Sequence, residues 1–172
     1  YKMLADNNDV HAQYRLGDMY YHGAGIPQSY NQAFNYYQKA ANNGSTDAEY
    51  ILGLMYYSGL GIPQDYGKAL NIFQKFADQG DTNAAYNIGL MYSRGLGVPQ
   101  NKDKAKEWFE KVINRDDYRY ISTLSAKYQL GQMYYDGVDV PQNFDEAVKW
   151  FEKAAATSYY YYNYGELKHG SK

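Results

Sequence analysis

Four copies of one pattern stand in register along this 172-residue chain, and no other feature restricts its fold so strongly. Ala12, Ala48, Ala84 and Ala126 open the copies. Leu16-Gly17, Leu52-Gly53, Ile88-Gly89 and Leu130-Gly131 follow, then Met19-Tyr20, Met55-Tyr56, Met91-Tyr92 and Met133-Tyr134. The register runs on through Gly23, Gly59, Gly95 and Gly137, and through Pro27-Gln28, Pro63-Gln64, Pro99-Gln100 and Pro141-Gln142. Ala33, Ala69, Ala105 and Ala147 come next, and Lys39, Lys75, Lys111 and Lys153 close the units. The opening alanines lie 36, 36 and 42 residues apart, so the third copy carries six extra residues, between Asn114 and Ser125.

Ala12, Leu16, Met19 and Tyr20 are spaced to share one side of a 3.6-residue helix, helix A of the unit. Gly23 and Gly25 then supply positive φ for a left-handed cap and a turn. After the proline, Ser29, Asp65, Asn101 and Asn143 are N-cap residues for a second helix, B. Gln32 and Glu146 complete capping-box patterns in the first and fourth units. The apolar face of helix B runs through Ala33, Tyr36, Tyr37 and Ala40 in the first unit, and through Ala147, Trp150, Phe151 and Ala154 in the fourth. Gly44 and Gly80 end helix B in the first two. A lone helix pair cannot bury both apolar faces, so the units must stack. The expected fold is an all-α, right-handed α-solenoid of helix-turn-helix repeats.

The boundaries that follow are 1–11 as the end of a truncated preceding repeat, 12–47, 48–83, 84–125 and 126–161 as repeats, and 162–172 as a C-terminal cap or partial repeat. The insertion lies near 114–125 and is expected to lengthen helix B or form a bulging loop. The first residue is not methionine and falls inside a repeat, which suggests a piece of a longer polypeptide.

Lysine and arginine number 17 against 19 aspartates and glutamates, for a net charge of -2. No nucleic-acid-binding footprint is present. No run of about 18 apolar residues occurs, so no membrane insertion is expected. Cysteine is absent, which removes disulfides, thiolate zinc sites and cysteine nucleophiles together. Compartment stays open.

The pattern A-x-x-x-L-G-x-M-Y-x-x-G-x-G-I/V-P-Q, continued by A-x-x-x-(W/F/Y)-x-K, resembles the Sel-one-like repeat, a relative of the tetratricopeptide repeat. The resemblance spans nearly the whole chain. Asp139 departs from it, standing where Gly25, Gly61 and Gly97 stand in the other units. Members of the family are generally adaptors, in endoplasmic-reticulum degradation complexes, in fungal chitin-synthase activation and in bacterial host interaction. Some cysteine-rich bacterial relatives are associated with β-lactams, and this chain lacks their cysteines.

Unit positions 3, 7 and 10 fall opposite the core residues on a helical wheel. They read Tyr14, Asp18, Tyr21, then Tyr50, Leu54, Tyr57, then Tyr86, Leu90, Ser93, then Tyr128, Gln132, Tyr135. In tetratricopeptide-like solenoids this side lines a concave groove, so the resemblance makes the tyrosine stripe a channel floor. Tyrosine suits a binding surface because it combines a broad ring, few rotors and a hydroxyl. Position-3 tyrosines serve equally well as packing residues, which leaves Tyr21, Tyr57 and Tyr135 as the better groove residues. Ile51 and Leu54 make its least polar part, and Arg15 and Arg94 are its charge contacts.

His11, Arg15, Asp18 and His22 lie along one edge of the first helix A. Recognition of a polar ligand group through Arg15 is one reading. Ordinary solvated i,i+3 and i,i+4 pairs are the stronger one, and no metal site is assigned. Asn114-Arg115-Asp116-Asp117 followed by Tyr118, Arg119 and Tyr120 form a charged and aromatic insertion, for which contact with a partner is one reading and a tolerated loop or helix extension the stronger one. Tyr159 to Tyr162 have two readings, an interaction edge and, the stronger one, a cover for the last repeat. Asn43-Gly44-Ser45 fits a glycosylation sequon.

No nucleotide-binding or metalloprotease motif occurs, and Gly-x-Gly here follows a helix and precedes proline, the wrong context for a phosphate loop. The carboxylates Asp18 and Asp136 lie in the outer repeats, too far apart for a glycosidase pair. The chain is expected to be a non-catalytic scaffold without cofactor that binds a protein or peptide, as a monomer or with weak self-association. The alternatives are a small-molecule or glycan-binding module and a structural spacer in a larger protein.

Overall fold

A computed structural model describes residues 2–115, 121–137 and 140–160, and the side chains of all of these but 2, 6 and 160. The described residues form helices and no strand: α1 (Lys2–Asp6), α2 (Val10–His22), α3 (Tyr30–Asn42), α4 (Thr46–Ser58), α5 (Tyr66–Asp78), α6 (Thr82–Arg94), α7 (Lys102–Asn114), α8 (Ile121–Asp136) and α9 (Phe144–Tyr160). This is an all-α solenoid of helix hairpins. It divides into two compact units, Tyr1–Phe73 and Gln74–Lys172.

Each hairpin is closed by the same hydrogen bonds. The loop glycines Gly23, Gly59, Gly95 and Gly137 take φ between 64° and 72°, the left-handed cap that ends helix A. The glutamine after the proline then reaches back to a carbonyl in the last turn. Gln28, Gln64, Gln100 and Gln142 donate Nε2 to the backbone oxygens of Tyr21, Tyr57, Ser93 and Tyr135 at 2.8–2.9 Å. One carbonyl earlier, Tyr20, Tyr56, Tyr92 and Tyr134 accept from the backbone N–H of Ser29, Asp65, Asn101 and Asn143. The same four residues cap helix B with their side chains. The capping boxes are therefore half formed, because helix A takes the N–H of Ser29 and Asn143 that Gln32 and Glu146 were expected to bind.

The glycine of the Leu-Gly pair is where helix B docks. A Cβ on Gly17, Gly89 or Gly131 would come within 2.6 Å of the ring of Tyr37, Phe109 or Phe151, and one on Gly53 within 2.9 Å of Ile72 and 3.1 Å of Phe73. Tyr37, Phe73 and Phe109 are fully buried. In the first unit α4 closes the hairpin of α2 and α3, with Ala48, Leu52 and Met55 packed on Ala33, Tyr37 and Ala40. In the second unit α8 closes α6 and α7 in the same way, with Ala126, Leu130 and Met133 on Ala105, Phe109 and Val112.

The inserted residues leave α7 at 13 residues, the length of the earlier helices B, so the expectation of a lengthened helix B is not met. It is α8 that is longer, with 16 residues. Its added first turn buries Ser122 and Thr123, and Ser122 Oγ donates to Thr82 Oγ1 at 3.3 Å. The readings of Asp116 to Tyr120, of Asp139, and of 162–172 with Tyr161 and Tyr162 fall outside the described residues.

Candidate functional site

Position 3 of helix A belongs to the hairpin seam. The rings of Tyr14, Tyr50, Tyr86 and Tyr128 sit 5.4–5.8 Å, centroid to centroid, from Tyr37, Phe73, Phe109 and Phe151 of their own repeats. Position 10 packs edge-on against the first residue of helix B. Tyr21 meets Tyr30 at 5.2 Å, and Tyr57 meets Tyr66 and Tyr135 meets Phe144 at 5.7 Å. These rings are fixed by neighbours while keeping a solvent-facing side. Tyr21 and Tyr57 are half-buried, and Tyr135 is 52% exposed. A wheel treats helix A as having one buried side, yet the hairpin partner covers a second side, and the stripe lies along that seam.

In the unit Tyr1–Phe73, Leu54 is exposed at 39%, beside the half-buried Ile51 and Tyr57. Ile51 spends part of its surface on the core shared by α3 and α4. Asp18 is half-buried and accepts the hydroxyl of Tyr37 at 2.9 Å, with Arg15 Nη1 at 3.7 Å. Burial is the main cause that pushes the Tyr37 hydroxyl well above the ordinary tyrosine range, and the hydrogen bond to Asp18 adds to it. Burial first, then the charges of Asp18 and Asp47, raise Tyr14 as well. Arg15, His11 and His22 are exposed, and the His22 ring lies 5.0 Å from that of Tyr21. The four residues of the polar edge thus do not converge: Asp18 turns to Tyr37 and His22 lies against Tyr21. Among the described residues no group of three His, Asp or Glu is placed to hold a metal ion.

In the unit Gln74–Lys172, Leu90 packs partly on the core, Arg94 is exposed at the end of α6, and Gln132 donates to Asp136 at 3.0 Å. Tyr128 is 52% exposed. It borders an open, mostly apolar hollow with Leu124, Phe151, Ala154, Ala155 and Ser158.

Two features escape a reading by helical faces alone. Tyr37 looks like one more core aromatic, and only the fold shows its hydroxyl held by Asp18. The glutamines after proline hold the ends of helices A, and their recurrence at one register in all four copies was the available sign.

These hairpins define a class: tandem α-helical repeat proteins. Within it, the Sel1 repeat model matches residues 10–45, 46–81, 82–117 and 124–159, and the chain belongs to the Sel1 repeat family. Sel1 repeat proteins are generally non-catalytic protein-interaction scaffolds. The fold is similar to that of a protective antigen present in uropathogenic Escherichia coli strains and displaying an SLR fold, at 34% identity and TM-score 0.72, over 90% of this chain and 32% of that one. It is also similar to a Sel1 repeat protein from Oxalobacter formigenes, at 29% identity and TM-score 0.70, over 87% of this chain and 59% of that one. A Sel1 repeat protein from Klebsiella pneumoniae shares the fold at 22% identity and TM-score 0.55, over 90% of this chain and 74% of that one. The chain thus spans less than two thirds of the first two. No curated protein matches it.

Proposed function

We propose that this chain is a non-catalytic scaffold that binds a peptide or protein segment along the seam side of its helices A. The observation that carries this reading is the state of the position-10 tyrosines. Each ring is pre-positioned by an edge-on aromatic neighbour, yet Tyr21 and Tyr57 are only half-buried and Tyr135 is exposed. A ring already held in place loses little freedom on binding, which favours affinity. In the first unit Tyr21, Leu54 and Tyr57 supply apolar contact, with Ile51 beneath and Arg15, Asp18 and His22 as polar margin. In the second, Tyr135 and Leu90 are the apolar contacts, with Arg94 and Gln132 beside them.

A displayed peptide library selected on the chain tests this. Leu54→Glu and Arg94→Glu alter exposed side chains and leave the hairpin core intact. Selected peptides should bind at least one of these variants about tenfold or more weakly, the scale of a lost hot spot. Equal binding to both by every selected peptide rejects the surface. Tyr57→Ala is a poor test, because it also removes packing on Phe73 and Tyr66.

The hollow beside Tyr128 supports a second reading, a site for a small aromatic or sugar ring. That reading predicts thermal stabilisation by such compounds, abolished by Tyr128→Ser.

A further inference from the structure

Position 2 of helix A fills a notch in the first repeat and leaves it open in the third. In the first, the buried Gln13 lies between the end of α1 and the end of α3. Its Nε2 donates to the backbone oxygen of Ala5 at 3.1 Å, and its Oε1 accepts from Asn43 Nδ2 at 2.9 Å. In the fourth repeat Lys127 stands at this position and donates to Thr157, the counterpart of Asn43, at 2.9 Å. In the third repeat the residue is Ala85. A cavity of about 280 Å³ opens there, walled by Ala77, Trp108, Lys111 and Arg115.

The partners of Gln13 have counterparts around this cavity. Ala77 corresponds to Ala5, and both carbonyls accept the N–H three residues ahead, from Asn8 at 3.1 Å and Gly80 at 2.9 Å. In the first repeat that carbonyl takes a second hydrogen bond, from Gln13. Arg115 corresponds to Asn43. Its Nη1 donates to the backbone oxygen of Gly80, which anchors the guanidinium at the lip and leaves further N–H donors on the same group. Trp108 forms a flat wall, with the Lys111 ammonium 3.8 Å from its ring. Asp81 also lines the cavity and caps α6 through the N–H of Ala84 at 2.7 Å.

We propose that this cavity binds a primary carboxamide, from a partner's glutamine side chain or from a small free amide. The amide oxygen accepts from Arg115, and the NH2 donates to the carbonyl of Ala77. The geometry discriminates between near-isosteres. A carboxylate satisfies Arg115 but sets its second oxygen against a carbonyl and has no proton to donate. An ammonium group meets two positive charges, Lys111 and Arg115, against the single carboxylate of Asp81, which already accepts the N–H of Ala84.

The test uses the full chain and follows the Trp108 indole resonance by NMR. The probes are N-acetyl-glutamine methylamide, its glutamate counterpart, and a peptide copying Val10–His22, which carries a glutamine within the native helix A sequence, with its Q13E form. The amide is expected to shift the Trp108 resonance and to bind at least about tenfold more tightly than the carboxylate. A peptide more than about tenfold tighter than the small amide assigns the site to a partner's glutamine, and comparable affinities assign it to free amides. Ala85→Gln should place the amide on the helix itself, abolish probe binding and raise Tm by about 2–4 °C. The proposal is overturned if no carboxamide probe shifts Trp108, if the carboxylate binds equally well, or if Ala85→Gln still binds. Failure of Ala85→Gln to fold overturns it too, because a notch built for an amide must accept one from its own helix.

Discussion

The ring of Phe109 lies so close to the backbone of Gly89 that a Cβ there would stand 2.6 Å from it. Both residues are buried, and the same approach recurs between Gly17 and Tyr37 and between Gly131 and Phe151. Glycine in mid-helix normally weakens a helix by roughly 0.5–1 kcal/mol relative to alanine. Here it lets two helices approach to ring thickness, and the packing gained on burying a whole aromatic outweighs that cost.

Gly89→Ala should therefore destabilise the chain, by about 1–3 kcal/mol in urea unfolding, the range for overpacking a tight core. Gly67→Ala is the control. In the first turn of α5 a Cβ meets only Asp65 Oδ1, at 3.5 Å, and this change should stabilise by about 0.4–1 kcal/mol.

Gly25 and Gly61 occupy equivalent loop positions with the same φ of 75°, yet their surroundings differ. A Cβ on Gly61 would fall 2.4 Å from the carbonyl carbon of Tyr30, whereas one on Gly25 meets nothing within 4 Å. Both alanine variants carry the left-handed strain of about 1–2 kcal/mol. Gly61→Ala should lower Tm clearly further, because backbone cannot yield as a side chain does.

Gln64→Ala removes the hydrogen bond to the Tyr57 carbonyl at 2.8 Å. The site is exposed, so water can replace the donor, and the loss should be about 0.5–1.5 kcal/mol. A hydrogen-exchange comparison should show faster exchange in the Gly59–Gln64 turn, with α4 still protected.

Tyr37 carries a pH dependence. Its hydroxyl is held above the ordinary value of 10.0, so the folded chain keeps a proton that the unfolded chain gives up first. Its contribution is complete below pH 10.0 and is lost as pH rises above it. Stability measured by urea unfolding should fall with pH above that point, and Tyr37→Phe should flatten the fall. At neutral pH the same change should cost about 0.5–1.5 kcal/mol, since the Asp18 carboxylate keeps some access to water and can be hydrated instead.

The sequence by itself determined the hairpins, because periodicity, caps and turn glycines act within a few residues along the chain. The spacing of Ala12, Leu16 and Met19, the left-handed glycines and the N-caps at Ser29, Asp65, Asn101 and Asn143 are all local demands, and four repetitions removed ambiguity about stacking. Tertiary structure alone decided which ring of helix B each tyrosine of helix A packs against. Tyr14 and Tyr21 lie on one helical side, yet how much of each ring meets water depends on where Tyr37 and Tyr30 of the next helix fall. It likewise decided that Gln13 is buried with its amide satisfied while Ala85 leaves a cavity, since a polar group's cost or benefit is fixed by partners distant in sequence, here Ala5 and Asn43.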